Sequence, residues 1–214
     1  MTRQQLPRTD KNPEGLRAPL QSRSQHSTDR MLDAALAILD REGMEGLSIA
    51  AVSRESGVSN GALYHRFGDR HGLLVAAQDR FLSDVTTHWI ASSEPLWSLE
   101  NPEELLTHLV ALFLQLFADR RSVFHAFMVT GRADPDLHAQ GARMMRRAAD
   151  HFASRFTERF GCTSSAAATA HQILQAQAIL LVVFGETATP IDAGGTDEHR
   201  HLVRALSAVL QSAD

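Results

Sequence analysis

Tyr64, His65 and Arg66 stand side by side in the stretch GVSNGALYHRFGDR, residues 57–70, which holds three of the chain's thirteen glycines and its only tyrosine. A phenol, an imidazole and a guanidinium are all groups that hydrogen-bond phosphate oxygens. The chemistry on offer is therefore contact with a polyanion rather than bond-making. An isolated polar triplet is most simply a solvated face. The residues just before this one favour the contact. Gly57 tolerates the positive φ of a sharp turn, Val58 can plug the angle between two helices, and Ser59 can accept a hydrogen bond from the amides of the next turn. Asn60, Gly61 and Ala62 are small or polar at the start of the following helix, where a short side chain lets the helix approach base edges. Leu63 and Phe67 are four apart and share the inward face.

Two more residues join the set. Ser48 caps the preceding helix, and the free amides at a helix N-terminus are themselves an anion site. Arg70 lies in the first turn of the next helix, where its charge gains nothing from the helix dipole. A phosphate partner would account for it; a solvated side chain is the alternative. The candidate DNA contacts are Ser48, Ser59, Asn60, Gly61, Ala62, Tyr64, His65, Arg66 and Arg70.

The elements that must hold these groups are short helices. Residues 1–26 are rich in Pro, Gln, Ser and Arg without apolar periodicity and read as a disordered arm. Thr28 is an expected N-cap, followed by Met31, Leu32, Ala35, Leu36, Ile38 and Leu39 at helical spacing and by Gly43 as a stop. Ser48 opens a second helix, ended by Gly57. Ser59 opens a third, ended by Gly68, and Asp69 opens a fourth that reaches about Ile90. Two short helices joined by a glycine-containing turn are a helix-turn-helix. Further helices are expected at about 102–118, 122–130, 135–160, 163–187 and 196–212, with a loop around Trp97. No strand pattern of useful length and no internal repeat occurs. The expected class is all-α with about nine helices: an arm over 1–26, a three-helix helix-turn-helix domain over 27–73, and a helical domain over 74–214, to which the resemblance described next assigns ligand binding and dimerisation.

Residues 30–74, RMLDAALAILDREGMEGLSIAAVSRESGVSNGALYHRFGDRHGLL, resemble the N-terminal DNA-binding domain of the tetracycline-repressor-type (TetR) family. Ser48, Gly57, Val58, Ser59, Gly61, Leu63, Tyr64, Phe67 and Leu73 match the family pattern in register. Ser56, Arg66, Arg70 and His71 depart from its usual Ala, His, Lys and Glu. The resemblance covers about a fifth of the chain. It implies a homodimer on palindromic double-stranded DNA, with a divergent all-α second domain that binds a ligand.

The bulk numbers bound the reading. At 214 residues with a single cysteine, Cys162, the chain needs no disulfide. The longest apolar run, Ala178 to Phe184, is too short to span a bilayer. A cytoplasmic protein with no membrane partner is expected. The net charge of −4 argues against non-specific nucleic-acid binding. Residues 1–80 nevertheless carry eleven Lys/Arg against ten Asp/Glu, whereas the remainder is acidic.

For a ligand pocket, Trp89, Phe113, Phe117, Phe124, Phe127, Met128, Met144 and Phe152 supply apolar and aromatic surface, with Met as an adaptable wall. His108, His125 and Asn101 are candidate polar contacts. An apolar or aromatic small-molecule effector is expected. For dimerisation, Leu174, Gln177, Leu181 and Phe184 of one helix and Leu202, Leu206 and Leu210 of the last form faces suited to a four-helix bundle. Neither metal nor cofactor is expected; His199 and His201, two apart on a helix, point to different faces. No P-loop, H-E-x-x-H or dinucleotide fingerprint occurs, so catalysis is not expected. The reading is a ligand-released repressor. A regulator gated by a partner protein and a helical enzyme are the alternatives.

Overall fold

The structure, a computed structural model, describes residues 17–185 and 196–212, with side chains over 24–185 and 199–212. Nine α-helices and no strand occur among the described residues: α1 (Arg17–Gly46), α2 (Ile49–Ser56), α3 (Asn60–Phe67), α4 (Arg70–Ser93), α5 (Pro102–Asp119), α6 (Arg121–Met128), α7 (Pro135–Phe160), α8 (Ser164–Phe184) and α9 (Thr196–Gln211). The expected loop around Trp97 is a 3₁₀ turn, Glu94–Ser98, and a second 3₁₀ turn covers Thr130–Ala133.

Local chemistry sets most of the boundaries. Ser48 Oγ accepts the Ala51 N–H at 3.1 Å, Ser59 Oγ that of Ala62 at 3.3 Å, and Asp69 Oδ1 that of Gly72 at 2.8 Å. These three caps satisfy amides that a helix start leaves open. Gly57 closes α2 in the left-handed region (φ 68°, ψ 19°), and its N–H returns to the Ser53 carbonyl. Gly43, with φ 67° and ψ −164°, breaks the helical path of α1 just before its end.

The beginning of α1 differs from expectation. The helix starts at Arg17, so Thr28 lies inside it, and its hydroxyl donates back to the Ser24 carbonyl at 3.0 Å instead of capping. A mid-helix hydroxyl can bond the carbonyl four residues back, and Thr28 does so. The rest of the expected arm, residues 1–16, lies outside the described residues.

α1 packs on α2, α4 and α6, while α3 bridges α2 and α4. α4 continues against α5 and α7, and α8 sits among α5, α6, α7 and α9. One apolar core runs through both halves. Ile38, Leu39, Leu47, Val52, Leu63 and Leu73 fill the head, and Phe81, Trp89, Leu109, Phe156 and Leu174 continue it. α8 is long and apolar enough to cross a membrane by composition, yet its His171, Leu174, Ala178 and Val182 are buried against neighbouring helices. That is how the central helix of a bundle reads.

Two arginines tie the head together over long sequence distances. Arg30 Nη2 donates to the Ser56 carbonyl, pinning the end of α2 to α1. Arg80 on α4 meets Asp29 at 3.0 Å, Asp33 at 3.3 Å and Asp84 at 2.9 Å, fixing α1 along α4. Such half-exposed pairs orient more than they stabilise, at about 0–1 kcal/mol each.

A Cβ added to Gly57 would stand 3.1 Å from Arg30 Nη2 in addition to occupying a left-handed conformation. Gly57→Ala is therefore expected to lower stability by about 1–2 kcal/mol, measured by urea or thermal unfolding.

Candidate nucleic-acid interface and ligand cavity

The turn between α2 and α3 is built from inside. Ser53 Oγ donates to the Val58 carbonyl at 2.6 Å and the Val58 N–H donates to Ser56 Oγ at 3.2 Å. Leu63 is fully buried, with Phe67 and Val58 packed against the same core. With that face anchored, the opposite face of α3 is open. Asn60, Gly61, Tyr64, His65 and Arg66 are exposed, Tyr64 by 54%, and Ala62 is half-buried. The N-terminus of α2, with Ser48 exposed, belongs to the same head. An exposed tyrosine beside a histidine and an arginine, none in an ion pair among the described residues, is a surface able to hydrogen-bond phosphates.

Gly61 is the informative residue on this face. A Cβ built there meets nothing within 4 Å, and its φ is not positive. The fold itself has no use for glycine here, where alanine would favour the helix by about 1 kcal/mol. Close approach of another body is a physical reason for it.

Arg70 has a different role from the expected phosphate contact. Its Nε donates to the Leu47 carbonyl at 2.7 Å and its Nη2 to the Met44 carbonyl at 2.6 Å. Those carbonyls lie at the α1–α2 connection, where no helical partner exists for them. Arg70 thus fastens the start of α4 to the α1–α2 connection, with two donor groups committed there.

The letters Gly57-Val58-Ser59-Asn60-Gly61 also spell G-x-S-x-G. A nucleophile elbow needs a strand before the serine. Here α2 precedes it, and Ser59 Oγ is occupied by the Ala62 amide.

Below the head, a cavity of about 750 Å³ opens between α4, α5, α6, α7 and α8. All eight residues expected in a pocket line it: Trp89, Phe113, Phe117, Phe124, Phe127, Met128, Met144 and Phe152. Their rings touch in series. Phe117 stacks on Phe124 at 4.3 Å, Phe124 meets the edge of Phe81 at 4.8 Å, and Trp89 stacks on Phe152 at 5.0 Å. The expected polar contacts fall elsewhere. His108 Nδ1 bonds the Glu104 carbonyl, Asn101 caps α5, and neither they nor His125 line the cavity. The polar lining includes Gln78, Gln140, His151, His171 and Gln175, with Asp79, Arg143 and Arg147 as its charged members. Sequence reasoning missed these residues because a glutamine on an amphipathic helix looks like solvent-facing surface. Burial pushes the His171 imidazole below the usual histidine range, so it is held neutral.

The expected dimer faces need correction. Leu174, Leu181, Leu202, Leu206 and Leu210 are all buried within the single chain, where α5, α8 and α9 pack together. They are core and are not free for a second copy. Phe184, exposed by 56%, and the half-buried Gln177 keep their outward positions, joined by exposed Leu180. Another contact not anticipated is His71, whose Nε2 lies 3.0 Å from Asp134 Oδ2 and 3.6 Å from that of Asp136. It joins the first turn of α4 to the cap of α7.

The chain therefore presents an anchored, capped helix-turn-helix on an all-α body with an internal cavity. Residues 31–77 match the family model described as bacterial regulatory proteins, tetR family. The transcriptional regulator BetI of Vibrio vulnificus (strain YJ016) is 42% identical over 45 residues, 21% of this chain and 23% of its own length. Over the matched relatives in general the similarity spans less than half of their length. Among solved structures, a TetR-family regulator from Mesorhizobium loti superposes with a TM-score of 0.75 at 19% identity, covering 87% of this chain and 98% of that one. The multidrug binding protein EbrR, complexed with imidazole, gives 0.65 at 19% identity over 87% and 96%. Both share the fold.

If α3 meets DNA closely at Gly61, Gly61→Ala is expected to leave stability unchanged or raise it by up to about 1 kcal/mol while weakening DNA binding. Thermal melts and binding isotherms on one preparation check both. A loss of stability like that expected for Gly57→Ala would refute this account of Gly61.

Proposed function

We propose that the chain is a homodimeric transcriptional repressor that binds a palindromic operator through α3 and is released by an apolar or aromatic effector in the α4–α8 cavity. The observation that carries this reading is the double use of α4. Its first turns hold the reading head, through Arg70 and through Leu73, Leu74 and Ala77. Its later turns, from Gln78 to Ile90, line the cavity. A ligand that changes the seating of α4 in the second domain must move the head, because α4 is continuous.

Two heads reading one palindrome lie about 34–36 Å apart on successive major grooves. A ligand that prefers a different spacing by a few kcal/mol is enough to shift occupancy from bound to free. Exposed Leu180 and Phe184, with half-buried Gln177, form the surface we assign to the second copy. EbrR, with the same fold, is named for binding many drugs, which supports a small-molecule role for this cavity. Gating by a partner protein alone would leave a cavity of about 750 Å³ without purpose.

Selection of purified protein on a random DNA library is expected to return a palindrome, and a compound screen should find molecules that release it. Arg66→Ala and Tyr64→Phe should weaken binding to all sequences alike, with Arg66→Ala reducing the salt slope by about 1. Salt-dependent isotherms on cognate and scrambled DNA measure this. Unchanged affinity and slope in both variants would remove the phosphate roles.

A further inference from the structure

The cavity holds more hydrogen-bonding capacity than the chain satisfies. Buried polar atoms without a partner include Gln78 Oε1, Gln140 Oε1 and Trp89 Nε1, all on cavity-lining residues. His171 adds to that capacity at the cavity surface. It is only 3% exposed and lines the cavity, and its ring nitrogens take no hydrogen bond among the described residues. Its ring packs on Phe152 at 4.7 Å, and Phe152 in turn stacks on Trp89 and meets the edge of Phe113 at 5.6 Å. Gln175 follows one helical turn later and also lines the cavity. A buried polar group without a partner is costly unless something supplies one.

The charges sit elsewhere. Asp79, Arg143 and Arg147 line the cavity but are exposed, and Asp79 already accepts from Gln140 Nε2 at 2.9 Å. The group in contact with the His171 ring is aromatic, Phe152, which offers no counter-ion to a charged ligand. A neutral imidazole offers one donor and one acceptor. A hydroxyl is also both, and it fits whichever tautomer the ring adopts.

We propose that His171 reads a hydroxyl group on an uncharged aromatic effector whose rings lie against Trp89, Phe113 and Phe152. This specifies the ligand class for the effector reading above and rests on it.

The test uses three probes of one shape, 2-naphthol, naphthalene and 2-naphthoate, with binding to the full chain measured by equilibrium dialysis without DNA. The neutral hydroxyl compound is expected to bind about five- to tenfold tighter than the other two, the scale of one hydrogen bond. His171→Phe should bring 2-naphthol down to the level of naphthalene and leave naphthalene unchanged. His171→Gln, which keeps a donor and an acceptor, should recover part of the preference. If His171→Phe does not fold, the wild-type series and His171→Gln still decide. Equal binding of 2-naphthol and naphthalene overturns the proposal, as does a His171→Phe chain that keeps the preference. Tightest binding of 2-naphthoate also overturns it and transfers recognition to Arg143 and Arg147. Binding of none of the three overturns this proposal and counts against an aromatic effector as well. A hydroxyl preference that vanishes with His171, without any change in operator affinity, would leave this inference standing and sink the effector-release reading alone.

Discussion

α4 is one unbroken helix from Arg70 to Ser93, and both halves of the molecule are organised by that continuity. Its start is fixed with unusual care for a helix terminus. Asp69 caps it, Arg70 fastens it to the Met44 and Leu47 carbonyls, and Leu73 and Leu74 enter the core of the head. The first turn is thus tied to the end of α1 and packed on α1 and α3, so it cannot shift without disturbing them. Further along, Phe81, Val85 and Trp89 are at once core and cavity wall. No proline or non-helical residue interrupts the stretch between, and a helix without such a break transmits displacement instead of absorbing it.

The head can be small because its packing and its surface chemistry are divided by helical period. On α3, Leu63 turns inward while Asn60, Gly61, Tyr64, His65 and Arg66 remain outside. Eight residues make too short a helix to be stable alone. α3 exists because Ser59 caps its start, Gly68 ends it at φ 80°, and Leu63 is buried under it. Every residue not needed for that task is available to a partner. Gly61 is the clearest of these, since alanine would suit the isolated fold better.

Local features of this architecture were legible in the sequence and distant ones were not. Ser48, Ser59 and Asp69 are caps because a cap is an interaction between residues two or three apart, and Gly57 and Gly68 are turns because the conformation belongs to the residue itself. The cavity aromatics were legible as a group, since only that part of the chain concentrates large rings. The Arg30–Ser56 contact links residues 26 apart, and the two Arg70 bonds span 23 and 26, so nothing in their spacing announces them. Leu202 and Leu206 illustrate a third limit. Apolar periodicity says that a face is buried without saying against what, and here the chain buries it against itself. The polar cavity lining failed for the same reason: Gln78 and His171 are recognisable only once four other helices close around them.

The aromatic series adds a second physical link between receiver and head. Rings in contact run from His171 through Phe152, Trp89, Phe113, Phe117 and Phe124 to Phe81. Phe124 belongs to α6, which packs on α1, the helix that supports α2. Close-packed rings do not deform continuously; they repack between discrete arrangements. A ligand seated among them would therefore bias α4 and α6 together, on opposite flanks of the same head. Two attachments make the head's orientation follow the state of the cavity more rigidly than either would alone, because rotation about one is resisted by the other. His71 adds a third tie, pairing the first turn of α4 with Asp134 at the cap of α7. A three-point seat of this kind allows a difference of a few kcal/mol in the cavity to appear as a change in head position instead of being lost in flexure at the domain junction.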